Sequence, residues 1–278
     1  MSRSHRYVAV PAALLVLAAA TACGGSDGST SSATGGCTPK HSGVTTLTKG
    51  KLAVSVYVSP PYSEQKDGGF GGVDGEIIKK IAEMECLTLD AKPVAGAGLI
   101  SSVESKRADL AIGGVYRTPD RAKILELTDT VYKDGMALLS KSEVSDVASL
   151  KGKKVGVIQG YLWNADLQKV LGKDNVKIYQ ASDGMLSDLT NGRVDVGVLT
   201  TAEAGYRAKQ NTALKSNNIT SDPRIASSTA PGEVVFPLTK GNASLLAALN
   251  EDIKALVADG TVGKILEANG LPASAATA

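Results

Sequence analysis

Arg107-Ala108-Asp109-Leu110-Ala111-Ile112-Gly113-Gly114, running on into Val115-Tyr116-Arg117-Thr118-Pro119-Asp120-Arg121-Ala122, is the stretch that decides how this chain folds. Its first half is a short apolar run of buried-strand type that closes on two glycines. Its second half opens a helix: Thr118 is a good N-cap, Pro119 fits the first helical position, and Asp120 suits the positive end of the helix dipole. Arg121 does not suit that end, at a cost of a few tenths of a kcal/mol, so its guanidinium is expected to be used elsewhere. A strand end, exposed backbone N–H groups and an arginine together make an anion receptor. The plainer alternative is an arginine paired with a neighbouring surface carboxylate.

Working outward, the same order appears twice. A helix near 99–105 leads into Arg107-Ala108-Asp109, and a helix near 184–189 leads into Arg193-Val194-Asp195-Val196-Gly197-Val198. Upstream of each copy lies an apolar strand, at 52–58 and at 153–158. The first strand is followed by a Pro/Gly-rich loop and a helix over 76–86, with Ile77, Ile78, Ile81, Ala82 and Met84 on one face and Asp74 near its start as a cap. Downstream come a strand over 233–238, a helix over 244–258 with a core stripe of Leu245, Leu246, Leu249, Ile253 and Leu256, and a short helix over 262–268 stopped by Gly270 and Pro272. The expected fold is α/β with two lobes, each a mostly parallel sheet flanked by helices, and a ligand edge at the strand C-termini.

With 278 residues, 43% of them hydrophobic, the chain has the material for a large core, which excludes disorder throughout. The N-terminus carries Arg3, His5 and Arg6, then an apolar run over 7–20, and reads as a signal peptide over 1–22. Ala20-Thr21-Ala22-Cys23 resembles the lipobox of bacterial lipoproteins, which would make Cys23 a lipid anchor. An ordinary cleaved signal is the alternative, because Ala20 stands where Leu is favoured. Residues 23–48 are then a flexible tether and lead-in, almost wholly Gly, Ser, Thr and Ala up to 36. Lys plus Arg number 30 and Asp plus Glu 28, so losing Arg3 and Arg6 leaves a balanced chain with no electrostatic reason to bind nucleic acid. The only histidines are His5 and His41, which argues against histidine catalysis and His-rich metal sites; no metal or cofactor is expected. An exported compartment permits Cys37 and Cys86 to pair, and a disulfide between them is expected, with two free thiols as the alternative.

From about Gly50 to Gly270 the chain resembles the polar-amino-acid-type (family 3) extracellular solute-binding proteins of ATP-binding cassette importers. The resemblance rests on Gly50-Lys51-Leu52, Pro60-Pro61-Tyr62, Val73-Asp74-Gly75-Glu76, Arg107-Ala108-Asp109 and Thr118-Pro119-Asp120-Arg121-Ala122. It continues through residues 150–157, Asn191-Gly192-Arg193-Val194-Asp195 and Ala258-Asp259-Gly260-Thr261. It implies a two-lobed clamp with crossovers near 137–141 and 232–236, lobe 1 comprising 49–139 and 233–278 and lobe 2 comprising 140–232. It also implies that Arg121 pairs with a ligand carboxylate, that the backbone at Gly114 offers a carbonyl, and that Tyr62 or a neighbour lines the pocket.

Three positions depart from the pattern. Tyr116 stands where Ser or Thr contacts the ligand, Gly160-Tyr161-Leu162-Trp163 replaces a Gly-Thr-Thr-like turn, and Thr200 stands where Asp pairs with the ligand ammonium. Burying an ammonium without an opposing charge is costly, so an ordinary amino acid fits poorly unless Glu203 or Asp74 supplies the charge. Tyr57, Tyr62, Tyr116, Tyr161 and Trp163 are a large share of a chain that is 4% aromatic, and such a cluster suits a cationic or planar solute. The resemblance thus implies a monomeric receptor, lipid-anchored on the extracellular face of the cytoplasmic membrane. It captures a small polar solute, amino acid or amino-acid-like, and delivers it to an importer permease without catalysing a reaction. The alternatives are an exported cyclohexadienyl-type dehydratase of the same fold, for which Glu76, Asp74 and Glu203 are the acid/base candidates, and a ligand-sensor subunit.

Overall fold

In both halves the first strand is pinned by the aspartate of the Arg-x-Asp motif. The computed structural model describes residues 36–66 and 69–276, and within it Asp109 accepts the N–H groups of Leu47 at 2.7 Å and Ala53 at 2.8 Å. Its own N–H returns a bond to the carbonyl of Ala53. Asp195 does the same at Lys154, accepting its N–H at 2.8 Å and donating to its carbonyl. The echo between the two halves is therefore a repeated strand lock, with a physical cause in each copy.

Two five-stranded sheets result. In the first, Thr88–Pro93, Lys51–Val56 and Leu110–Ile112 run parallel, followed by Pro237–Leu238 and Glu126–Leu127, with Pro237–Leu238 antiparallel to both of its neighbours. In the second, Val176–Tyr179, Val155–Ile158 and Val196–Thr200 run parallel, followed by Met136–Ser140 and Lys215–Asn218, with Met136–Ser140 antiparallel to its neighbours. Each sheet thus holds three parallel strands and takes its fourth just after a crossover. Among the helices, Gly72–Met84 buries Ile77, Ile78, Ile81 and Ala82, and Ala243–Ala258 buries Leu245, Leu249, Ile253 and Leu256. The helix beginning at Gly72 starts earlier than its pattern suggests, so Asp74 lies inside the first turn and not at the cap.

The two crossings meet in a two-stranded antiparallel ribbon, Tyr132–Asp134 with Gly232–Val234. The ribbon strand Gly232–Val234 lies in the stretch 232–236 expected for the second crossing. The first comes earlier than 137–141, because Met136–Ser140 is apolar and buried along its whole length and forms a strand of the second sheet. The boundary drawn at 139/140 therefore falls inside that strand. Residues 233–238 divide as well: Gly232–Val234 pairs in the ribbon and Pro237–Leu238 in the first sheet. Cys37 and Cys86 are both disulfide-bonded. The signal peptide and Cys23 lie outside the described residues, and no helix among the described residues is long and apolar enough to cross a membrane.

Candidate solute site

A cavity of about 90 Å³ opens at the C-terminal ends of the parallel strands, where both sheets contribute to its wall. From the first half come Tyr57, Tyr62, Gly114, Tyr116 and Arg121, and from the second Gln159, Tyr161, Trp163 and Thr200. Every residue singled out from the sequence as ligand-binding lines it, as does Tyr57.

The wall near Arg121 is built by local signals. Thr118 caps Pro119–Ile124, its hydroxyl accepting the N–H of Arg121 at 3.1 Å. The Arg121 guanidinium bonds the carbonyl of Tyr116. Among the described residues no carboxylate comes within ion-pair distance of it, so the surface-pair alternative does not hold. Burial lowers its pKa from the ordinary value, yet a guanidinium stays charged at any physiological pH. Arg117 faces a different way, pairing with Glu233 at 2.8 Å and bonding the carbonyl of Thr128 at 2.7 Å.

The paired glycines serve another purpose than anion binding. Their N–H groups are taken by Asp74, whose Oδ2 accepts from Gly113 at 2.9 Å and from Gly114 at 2.8 Å, while its Oδ1 accepts from the Tyr132 hydroxyl at 2.6 Å. Glycine is required at both positions: φ is +130° at Gly113 and +69° at Gly114, and a Cβ at Gly114 would stand 2.8 Å from the Tyr62 ring.

The rings are arranged in pairs. Tyr161 meets Trp163 edge to face, centroids 5.0 Å apart, and Tyr62 stacks on Tyr132 at 6.3 Å. Tyr62 is buried, and its hydroxyl bonds Asp134 and Thr200, so one phenol joins the first half, the ribbon and the second half. The Tyr161 hydroxyl donates to Glu203 Oε2 at 2.8 Å, and the Tyr116 hydroxyl to the carbonyl of Gly135 at 3.3 Å. Among the described residues, Trp163 Nε1 and Glu203 Oε1 are buried without a hydrogen-bond partner, as are Asn164 Oδ1 and Arg207 Nε beside them.

The acid candidates sit outside the cavity lining. Asp74 serves the glycine turn, Glu203 is buried behind Tyr161 with Arg207 at 3.8 Å, and Glu76 accepts from Asn269 at 3.4 Å. Asp134, not singled out in the sequence, is a buried carboxylate of the ribbon that accepts the N–H groups of Gly135 at 2.8 Å and Ala202 at 3.3 Å. Burial pushes its pKa up to about 6 against the downward pull of those bonds. Away from the cavity, His41, Glu85 and Asp252 bring ligand-type atoms within 4.8 Å of one another, but Lys40 and Glu251 complete an ion-pair cluster with them.

Two sheets, an antiparallel ribbon between them and a cavity walled by both define a binding protein of the clamp class. The chain belongs to the bacterial extracellular solute-binding proteins, family 3, which it matches over residues 52–270. It is 28% identical to the probable amino-acid-binding protein YxeM of Bacillus subtilis over 75% of this chain and 79% of the relative. It is 29% identical to the L-cystine-binding protein TcyJ of Escherichia coli over 75% of this chain and 77% of that one. A solved ancestral arginine-binding protein bound to glutamine shares 29% identity and a TM-score of 0.71 over 80% of this chain and 99% of its own. The chain is thus a solute-binding protein of an ATP-binding cassette importer.

Proposed function

We propose that the cavity is the solute site and that its cargo is a small amino acid or amino-acid-like molecule, held between two lobes that hinge on the ribbon. The observation that carries this reading is the half-buried Arg121 guanidinium in the cavity wall, charged and without a carboxylate partner among the described residues. A cation taken partly out of water without a counter-charge carries a cost, and an incoming carboxylate offsets it. The lobes close because solute adds contacts across the gap: Arg121 and Tyr62 approach it from one side, Tyr161, Trp163 and Thr200 from the other. The closed form then docks on a permease, the chain acting as a monomer and held to the outer face of the membrane by lipid on Cys23. Binding without catalysis is supported by relatives that are binding proteins.

The test begins with mass spectrometry of solute released from gently purified protein, followed by calorimetry with that solute. Arg121→Ala removes a charge-assisted contact of roughly 1.5–3 kcal/mol, which lowers affinity about ten- to hundredfold. Unchanged affinity in a folded Arg121→Ala variant would falsify the assignment.

A further inference from the structure

The side chains of the cavity lining offer donors to an anion and few acceptors to an ammonium, which leaves backbone carbonyls such as that of Gly114 as its oxygens. Among the described residues of its lining Arg121 is the one that carries a charge, and the Trp163 indole N–H is buried there with no hydrogen-bond partner among them. Side-chain oxygens are almost all committed elsewhere. Thr200 Oγ1 accepts the Glu203 N–H at 3.1 Å and bonds the Tyr62 hydroxyl, and Gln159 Oε1 accepts from Gln180. The hydroxyls of Tyr62, Tyr116 and Tyr161 bond Asp134, Gly135 and Glu203, none of which lines the cavity. Only the Tyr57 hydroxyl is left without a partner among the described lining oxygens of side chains. A primary ammonium has three N–H groups to satisfy, and losing water without replacing its hydrogen bonds is costly for each.

What the tyrosines do offer is ring. Two of them, Tyr62 and Tyr161, donate their hydroxyl protons to buried carboxylates, Asp134 and Glu203. Donation to a carboxylate pushes electron density from the phenol oxygen into the ring and makes its face more attractive to a cation. Negative charge is thus held one ring away from the cavity: Glu203 Oε1 makes no hydrogen bond, and its nearest cation, Arg207, stands off at 3.8 Å. A ring face needs no N–H from its guest and binds best a cation that sheds water easily.

We propose that the solute is a betaine, a carboxylate joined to an N-methylated ammonium, with the carboxylate on Arg121 and the indole N–H of Trp163 and the methylated nitrogen against the rings of Tyr62 and Tyr161. This rests on the solute-site reading above and names the chemical class that the site takes. The cavity volume, about 90 Å³, suits a compact headgroup.

Calorimetry on the solute-stripped mature protein tests it with matched probes. Glycine betaine and proline betaine bind at least ~tenfold more tightly than glycine and proline. Choline, which lacks the carboxylate, and 3,3-dimethylbutanoate, which replaces the cationic nitrogen with carbon, each lose at least ~tenfold against glycine betaine. Tyr161→Leu weakens glycine betaine by ~tenfold, and Tyr161→Phe, which keeps the ring but breaks the bond to Glu203, by ~threefold. Should a primary amino acid such as arginine, histidine or cystine bind more tightly than either betaine, or should dimethylbutanoate match glycine betaine, the betaine assignment is overturned while the solute site stands. If no amino acid, betaine or small organic acid binds at all, both readings fall together. The comparison of solutes on the unaltered protein holds even where Tyr161→Leu does not fold.

Discussion

Asp74 and Gly114 stand 40 positions apart in the chain and meet at 2.8 Å, where the carboxylate also takes the N–H of Gly113 and the hydroxyl of Tyr132. One side chain in the first turn of a helix therefore fixes the glycine turn from which Tyr116 and Arg121 follow, and ties it to the first strand of the ribbon. Burial raises the Asp74 pKa while those three donors pull it down.

Asp74→Ala leaves three donors without their acceptor. Unfolding by urea is expected to show a loss of about 2–3 kcal/mol, together with weaker solute binding because the turn no longer holds its shape. Asp74→Asn keeps an acceptor oxygen and loses less. An alanine variant as stable as the parent would mean that water takes over the three bonds.

Asp134 links stability to pH in the direction opposite to a salt-bridged carboxylate. Its pKa is pushed up by burial to about 6, against an ordinary value of 3.8. As pH falls from 7.5, the folded state takes up this proton before the unfolded chain does, so the group's contribution rises as pH falls through 6 and levels off below about 4. The full gain is on the order of 2–3 kcal/mol. Measured against Asp134→Asn, which keeps an oxygen for the Tyr62 hydroxyl, the wild type should gain melting temperature between pH 7.5 and 4.5. Parallel curves for the two proteins over that range would show that Asp134 already holds its proton or never takes one.

Features encoded within a few residues of one another were legible in the sequence. Thr118, Pro119 and Asp120 announced the helix Pro119–Ile124, and the stripe from Leu245 to Leu256 announced a core helix that runs Ala243–Ala258. The five aromatic residues of the cavity stood out because they cluster after strands in a chain poor in rings. Features that depend on distant pairing were hidden. The N–H groups at Gly113 and Gly114 looked free for an anion, because nothing near them in sequence points to Asp74 as their acceptor. Asp134 sits in Lys133-Asp134-Gly135, where no neighbour in sequence signals burial; the ribbon strand Gly232–Val234 lies alongside and Tyr62 comes in from the first half. The early crossing had a local signal, the apolar run Met136-Ala137-Leu138-Leu139, whose strand character placed it in the second sheet.

The repeated strand lock allows a paired comparison. Asp109 is buried and holds two N–H groups, whereas Asp195 is exposed and holds the N–H of Lys154. Asp109→Ala therefore leaves two donors without partners in a part-buried setting and is expected to cost about 2–3 kcal/mol. Asp195→Ala, where water replaces the carboxylate, is expected to cost under about 1 kcal/mol. Chemical denaturation of the two single variants measures the gap; equal losses would mean that the lock works through backbone pairing alone.

His41 sits between carboxylates on both ring nitrogens, Nδ1 at 2.6 Å from Glu85 and Nε2 at 2.9 Å from Glu251. The bond to buried Glu85 raises its pKa from 6.5, with burial acting the other way and Glu251 and Asp252 adding to the rise. The folded state thus prefers the imidazolium, so the group's stabilisation is complete below pH 6.5 and is lost as pH climbs through the higher folded-state value. The rival source of stability at this corner is the Lys40 to Asp252 pair at 2.9 Å. His41→Gln separates them: the wild type should be the more stable protein at pH 6, and its advantage should shrink by pH 9. An advantage that stays constant across the range would assign the contact to hydrogen bonding by a neutral ring, with no proton held.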